Sequence, residues 1–197
     1  RLPQWPNAYP PSGASATLKH LNEDFIVTEL PLQLPGGEGE HLWLDIEKNG
    51  ANTAFVAQQL AEAASVQERD VGYAGLKDRY AITRQWFSIY LPKGETPDLT
   101  RLQHPEFKVL SQRRHVKKLR PGDLQGNRFR IVLRDVLGDR DAIDAHAAAV
   151  GRQEAGEDAH QRRLAAARGP DEDAKLALFD VQVHVADDRH VVHIGFV

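Results

Sequence analysis

Residues 71–92 read VGYAGLKDRYAITRQWFSIYLP, and the rest of the chain is best understood outward from them. The apolar start at Val71 enters a stretch hinged by Gly72 and Gly75, residues that let a backbone turn tightly or approach a ligand closely. QWFSIYLP then reads as a strand, stopped by Pro92. The pattern predicts strand, loop, strand, with Asp78 in the loop between Lys77 and Arg79. Neighbouring cations favour an ionised carboxylate, the form needed for a nucleophile or base at neutral pH. The same triplet also fits a solvated turn of alternating charges, and adjacency in sequence does not by itself surround the carboxylate with cations.

Upstream, DFIVTEL alternates, with Phe25, Val27 and Glu29 on one face and Ile26, Thr28 and Leu30 on the other. Pro31 and Pro35 close it, and GGEGE at 36–40 is a flexible turn. HLWLDIEK follows with Leu42, Leu44 and Ile46 on one face, so the two runs are expected to form a hairpin-like pair. Asn49-Gly50 breaks the strand, and Asn52 or Thr53 is expected to cap a helix burying Phe55, Val56, Leu60 and Ala63 or Ala64. Downstream, EFKVL suggests a short strand. NRFRIVLRDV suggests a longer one, with Phe129, Ile131 and Leu133 inward and Arg128, Arg130 and Arg134 outward. Asn127 shares the parity of Phe129. Residues 139–175, rich in Ala, Asp, Glu, Arg and Gly, read as helices or mobile connections. FDVQVHVADDRHVVHIGFV reads as a final hairpin turning at Ala186-Asp187-Asp188.

With 197 residues, 41% hydrophobic and 27% charged, the chain suits one packed domain or slightly more. Its lack of cysteine excludes a disulfide scaffold, a cysteine zinc site and thiol catalysis, and fits a reducing compartment. It has no run of about 18 apolar residues, so no membrane-spanning helix is expected. A start at Arg1 and the absence of methionine suggest part of a longer chain, with residues expected to be missing around 145–160 and beyond 197.

A net charge of −3 argues weakly against a global grip on nucleic acid, but charge is locally segregated. From Lys108 to Arg134 nine cations face only Asp123. Phosphate contact and a solvated face both explain such a run. It leads into Gly126-Asn127-Arg128-Phe129, whose amide and ring suit a base edge and a base face, or equally a turn and a core position. His190-x-x-His193 on a strand puts two rings on opposite faces, poor geometry for one metal ion. The common phosphate-loop, dinucleotide and nucleophile-elbow signatures are absent.

VGYAGLKDRYAITRQWFSIYLP closely resembles the signature of the tRNA pseudouridine synthase D family. LKHLNEDFIVTELP, GEGEHLWLDIEKNGANTAFVAQQLA and GNRFRIVLRDV resemble further family segments, in the expected order from about Thr17 to Val136. The resemblance implies an α+β fold, a mixed and mostly antiparallel sheet flanked by helices. Residues 1–16, with Pro3, Pro6, Pro10 and Pro11, read as an extended arm. The resemblance implies a catalytic domain over 17–150, a junction over 151–161 where an inserted domain is missing, and a returning segment over 162–197. The implied activity is isomerisation of a uridine in tRNA, by resemblance uridine thirteen, to pseudouridine, without cofactor or metal, by a cytoplasmic monomer.

The family's catalytic aspartate falls on Asp78. Phe25 and Asn127 are implied to contact substrate, and Lys19 and Phe129 to wall the site. Arg113, Arg114, Lys117, Lys118 and Arg120 are expected to contact RNA phosphates. Position 80 is Tyr where the family commonly has His, which weakens a role for that side chain. A family block with an Asn-Tyr-Phe-Gly run is absent after Val136. The alternative reading is therefore a truncated or degenerate relative that binds structured RNA without catalysis. A small domain binding protein partners is the reading that remains if the motifs are set aside.

Overall fold

The computed structural model describes residues 15–92, 96–138, 179–186 and 189–196. These build a single sheet from β1 (Ser15–Leu18), β2 (Phe25–Pro31), β3 (His41–Asn49), β4 (Val71–Tyr73), β5 (Ile82–Tyr90), β6 (Phe107–His115), β7 (Leu124–Leu137), β8 (Phe179–Ala186) and β9 (Arg189–Phe196). The strand order is β6-β3-β5-β2-β7-β9-β8, with β1 joined to β7 and β4 joined to β5. β2 and β5 run parallel and every other pairing is antiparallel. The sheet is thus mixed and mostly antiparallel, and α1 (Thr53–Ala63) packs on one face.

The core forms where α1 meets that face. Leu42, Leu44 and Ile46 of β3, Phe87 and Ile89 of β5, and Phe107 and Val109 of β6 are buried against Val56, Ala57, Leu60 and Ala61. Each fully buried large side chain contributes about 1.5–3 kcal/mol. Asn52 caps the helix by accepting the Phe55 N–H at 2.8 Å. The buried stripe takes Ala57 and Ala61, with Phe55 and Ala64 half-buried and Ala63 exposed.

Three expectations need correction. β2 and β3 form no hairpin, because β5 lies between them. Alternation fixes which face a side chain takes, not which strand lies beside it, and residues 32–40 are long enough to step over β5. That step is anchored by the Gly37 N–H on the Arg114 carbonyl (2.8 Å) and the Leu91 N–H on the Glu40 carbonyl (2.7 Å). EFKVL is only the start of β6, which pairs with β3 as far as His115. Arg134 is not outward: beyond Ile131, β1 and the short 3-10 turn Asn22–Asp24 pack on β7, so Val132 is buried and Arg134 pairs with buried Asp24.

β8 and β9 pair as the terminal hairpin, whose expected turn residues Asp187 and Asp188 lie outside the described residues, and β9 pairs with β7 from Asn127 to Leu133. The 139–175 segment lies outside the described residues, as do most of the N-terminal arm and the expected junction at 151–161.

Candidate active site

The 74–81 loop joins β4 to β5 beside a gap in the sheet. Along one edge of β5, β4 pairs with residues 87–89 and β2 with residues 82–84. The Glu29 carboxylate fills the break between them by accepting the Trp86 N–H at 3.1 Å. Its other oxygen lies 2.8 Å from Lys77 Nζ, in an ion pair whose side chains are only 6% (Lys77) and 1% (Glu29) exposed. Lys77 is thus drawn inward, anchoring the loop to β2.

Further bonds hold the loop backbone. Gln85 Nε2 donates to the Gly75 carbonyl (3.1 Å), the Thr53 hydroxyl donates to Gln85 Oε1 (2.9 Å), and the Lys77 N–H donates to Thr53 Oγ1 (2.9 Å). Because Asn52 serves as the cap, the Thr53 hydroxyl is left for this relay. Lys48, fully buried on β3, donates to the carbonyls of Ala51 (2.8 Å) and Asp78 itself (2.6 Å). Burial pushes the Lys48 ammonium down to about 8, with the Asp78 charge opposing the shift and the Lys77 charge adding to it. Arg79 Nε donates to the Gly50 carbonyl at 3.0 Å. Both cations that flank Asp78 in sequence are therefore engaged elsewhere.

The cation that meets Asp78 is Lys19, whose Nζ lies 2.5 Å from Oδ2. Lys19 follows β1 with φ of 56°, a left-handed conformation uncommon for a side-chain-bearing residue. The turn after it is clipped to the sheet by Asp24, which accepts the Leu21 N–H (3.0 Å) and two bonds from Arg134 (both 2.7 Å). The Arg134 bonds hold the Asp24 carboxyl below its usual range, against the effect of burial. Lys19 Nζ also stands 3.9 Å from the Phe25 ring centroid, and Phe25 meets Phe129 edge-on at 5.8 Å.

Four of the five residues expected at the centre thus converge: Asp78, Lys19, Phe25 and Phe129. Asn127 lies on the same strand and parity as Phe129, opposite Glu29. Its buried amide oxygen has no hydrogen-bond partner among the described residues. The Asp78 side chain is 39% exposed, open to an incoming substrate.

The expected phosphate contacts divide. Arg114 is engaged internally, on the Leu91 carbonyl (2.7 Å) and Thr96 Oγ1 (2.9 and 2.7 Å), and Lys118 donates to the Arg69 carbonyl. Arg113, Lys117 and Arg120 are exposed. The 117–122 segment passes over Gly72, where a Cβ would stand 2.3 Å from the Leu119 carbonyl oxygen, and the Gly122 N–H bonds the Ala74 carbonyl at 2.8 Å. That places the Lys117 and Arg120 segment against the start of the Asp78 loop.

Sequence reasoning missed Glu29, Lys48, Thr53 and Gln85 as parts of the site. One signal was available for Glu29: a carboxylate on the parity of Phe25 and Val27, where burial demands a partner.

Comparison with known proteins matches residues 8–192 to the family model of tRNA pseudouridine synthase D (TruD). The tRNA pseudouridine synthase D of Xanthomonas campestris pv. campestris (strain B100) is 47% identical over 148 residues, covering 75% of this chain and 40% of the relative. That of Vibrio campbellii is 53% identical over 125 residues, covering 62% of this chain and 36% of the relative. The chain therefore spans less than half the length of these relatives. A crystal structure from Methanosarcina mazei assigned to tRNA pseudouridine synthase D superposes with a TM-score of 0.56 at 28% identity, covering 71% of this chain and 30% of that one. By the family match over most of its length, the chain belongs to the tRNA pseudouridine synthase D family.

Proposed function

We infer that this protein isomerises a uridine of tRNA, uridine thirteen by family resemblance, to pseudouridine, with Asp78 as the reacting carboxylate. The observation that carries the reading is the exposed Asp78 carboxylate, paired with Lys19 beside the Phe25–Phe129 wall, on a loop held from below by buried polar groups.

The reaction breaks the bond between N1 of uracil and C1′ of ribose and joins C5 to C1′. N1 gains a proton and C5 loses one, so atoms and electrons balance without an external oxidant or reductant. Asp78 attacks the ribose carbon or the base, or removes a sugar proton; each route needs an ionised, accessible carboxylate. Lys19 orients that carboxylate by its hydrogen bond. The uridine leaves its stack to reach the site, where Phe25 and Phe129 supply an apolar wall and Asn127 an amide for the base edge. Lys117 and Arg120 hold backbone phosphates.

Pairing of β9 with β7, and of β8 with β9, supports reading 162–197 as the returning part of the catalytic domain. A monomer working in the cytoplasm belongs to the same proposal. Among the described residues no helix is long and apolar enough to cross a membrane.

The test is to incubate the protein with unmodified tRNA and map pseudouridine by carbodiimide labelling and primer extension. Product at uridine thirteen is expected. Tight tRNA binding with no product would instead favour a relative that binds structured RNA without catalysis.

A further inference from the structure

We propose that Tyr80 is a base-stacking residue, which takes the face of the unpaired nucleobase next to the target uridine. The inference rests on the reading of Asp78 as the reacting carboxylate and adds an RNA subsite beside it.

Of residues 76–80 only Lys77 turns away from solvent, and Arg79 is exposed with the rest. Lys77 turns inward to Glu29, while Leu76, Asp78 and Tyr80 are exposed, at 74% for Leu76 and 68% for Tyr80. Large apolar side chains thus flank the carboxylate on both sides along the chain. The backbone presenting them is fixed by the bonds from Gln85, Thr53 and Lys48, and Ala81, immediately after Tyr80, is completely buried. Tyr80 is therefore a ring held out into solvent by a rigid support, and its hydroxyl makes no hydrogen bond among the described residues.

The surrounding charge selects the occupant. The Arg79 guanidinium lies 5.8 Å from the Tyr80 ring centroid, and Lys19 stands at the neighbouring carboxylate. A flat ring beside a cation suits a planar, polyanion-borne group, and every nucleobase offers a π-face. Extruding a uridine strips its neighbour of one stacking partner. Tyr80, two residues from the reacting carboxylate, is positioned to replace it.

The test measures retention of tRNA on filters by Tyr80→Ala, Tyr80→Phe and the unaltered protein, each in an Asp78→Asn background so that turnover does not intervene. Loss of the ring is expected to weaken binding roughly 5- to 150-fold, from about 1–3 kcal/mol per stacked base. Tyr80→Phe is expected to bind as the unaltered residue does. RNA made abasic at the positions flanking the target should bind Tyr80→Ala and the parent equally. In the active background, Tyr80→Ala should raise KM for tRNA. Equal binding of intact tRNA by Tyr80→Ala and its parent would overturn the proposal. So would a loss that persists undiminished on abasic RNA, and so would apolar protein binding at Tyr80 with no effect on RNA. Absence of pseudouridine alongside a ring-dependent affinity would refute the enzymatic reading alone.

Discussion

Replacing Glu29 by Gln removes a charge from the buried support of Asp78 while keeping nearly the same shape. At 2.8 Å, with an effective dielectric constant of about 20, the Glu29–Lys77 attraction is about 6 kcal/mol before desolvation is counted. Desolvation offsets much of this in the intact pair, but stranding one buried charge costs about 3–5 kcal/mol. Gln can still accept the Trp86 N–H, so the lower end, about 3 kcal/mol, is expected for Glu29→Gln. For a chain of this size that corresponds to a fall in Tm of about 6–12 °C. Adding Lys77→Met removes the stranded ammonium and should recover most of the loss. Urea unfolding of the four proteins in the cycle gives the coupling energy directly, expected at about 2 kcal/mol or more. A coupling below about 0.5 kcal/mol would refute the view that this pair anchors the Asp78 loop.

Lys48 gives a pH-dependent signature. Its ammonium is lowered to about 8 in the folded protein, so between there and its unfolded value of 10.5 the unfolded chain binds the extra proton and stability rises with pH. Relative to Lys48→Met, the unaltered protein should gain up to about 3 kcal/mol across that window, read from urea midpoints; parallel profiles would contradict it. Gly72→Ala would force a Cβ against the Leu119 carbonyl at 2.3 Å. A loss of about 1–3 kcal/mol in denaturant titration is expected, and an unchanged midpoint would show that the 117–122 segment yields freely.

The strands were legible because alternation survives in one dimension. DFIVTEL, HLWLDIEK and QWFSIYLP each became strands, and Asn52 capped its helix as its chemistry suggests. Their neighbours were not legible. Strand partners depend on contacts between distant residues, and β5 could enter between β2 and β3 because the connection at 32–40 is too long to impose a hairpin. The site shows the same division. Asp78 was visible through its motif, but the Lys77 and Arg79 charges beside it in sequence proved to be fastened to Glu29 and the Gly50 carbonyl. The cation that reaches Asp78 comes from Lys19, 59 residues away. Arg114 and Lys118 resembled phosphate ligands in a linear charge count, yet both are engaged by backbone carbonyls.

The most direct measurement uses tRNA carrying tritium at C5 of uridine, because joining C5 to C1′ must expel that hydrogen. The unaltered protein should release tritium to water in step with pseudouridine formation. Asp78→Asn, verified as folded and still binding tRNA, should release none above background. Equal release by Asp78→Asn would contradict the assignment of Asp78 as the reacting carboxylate.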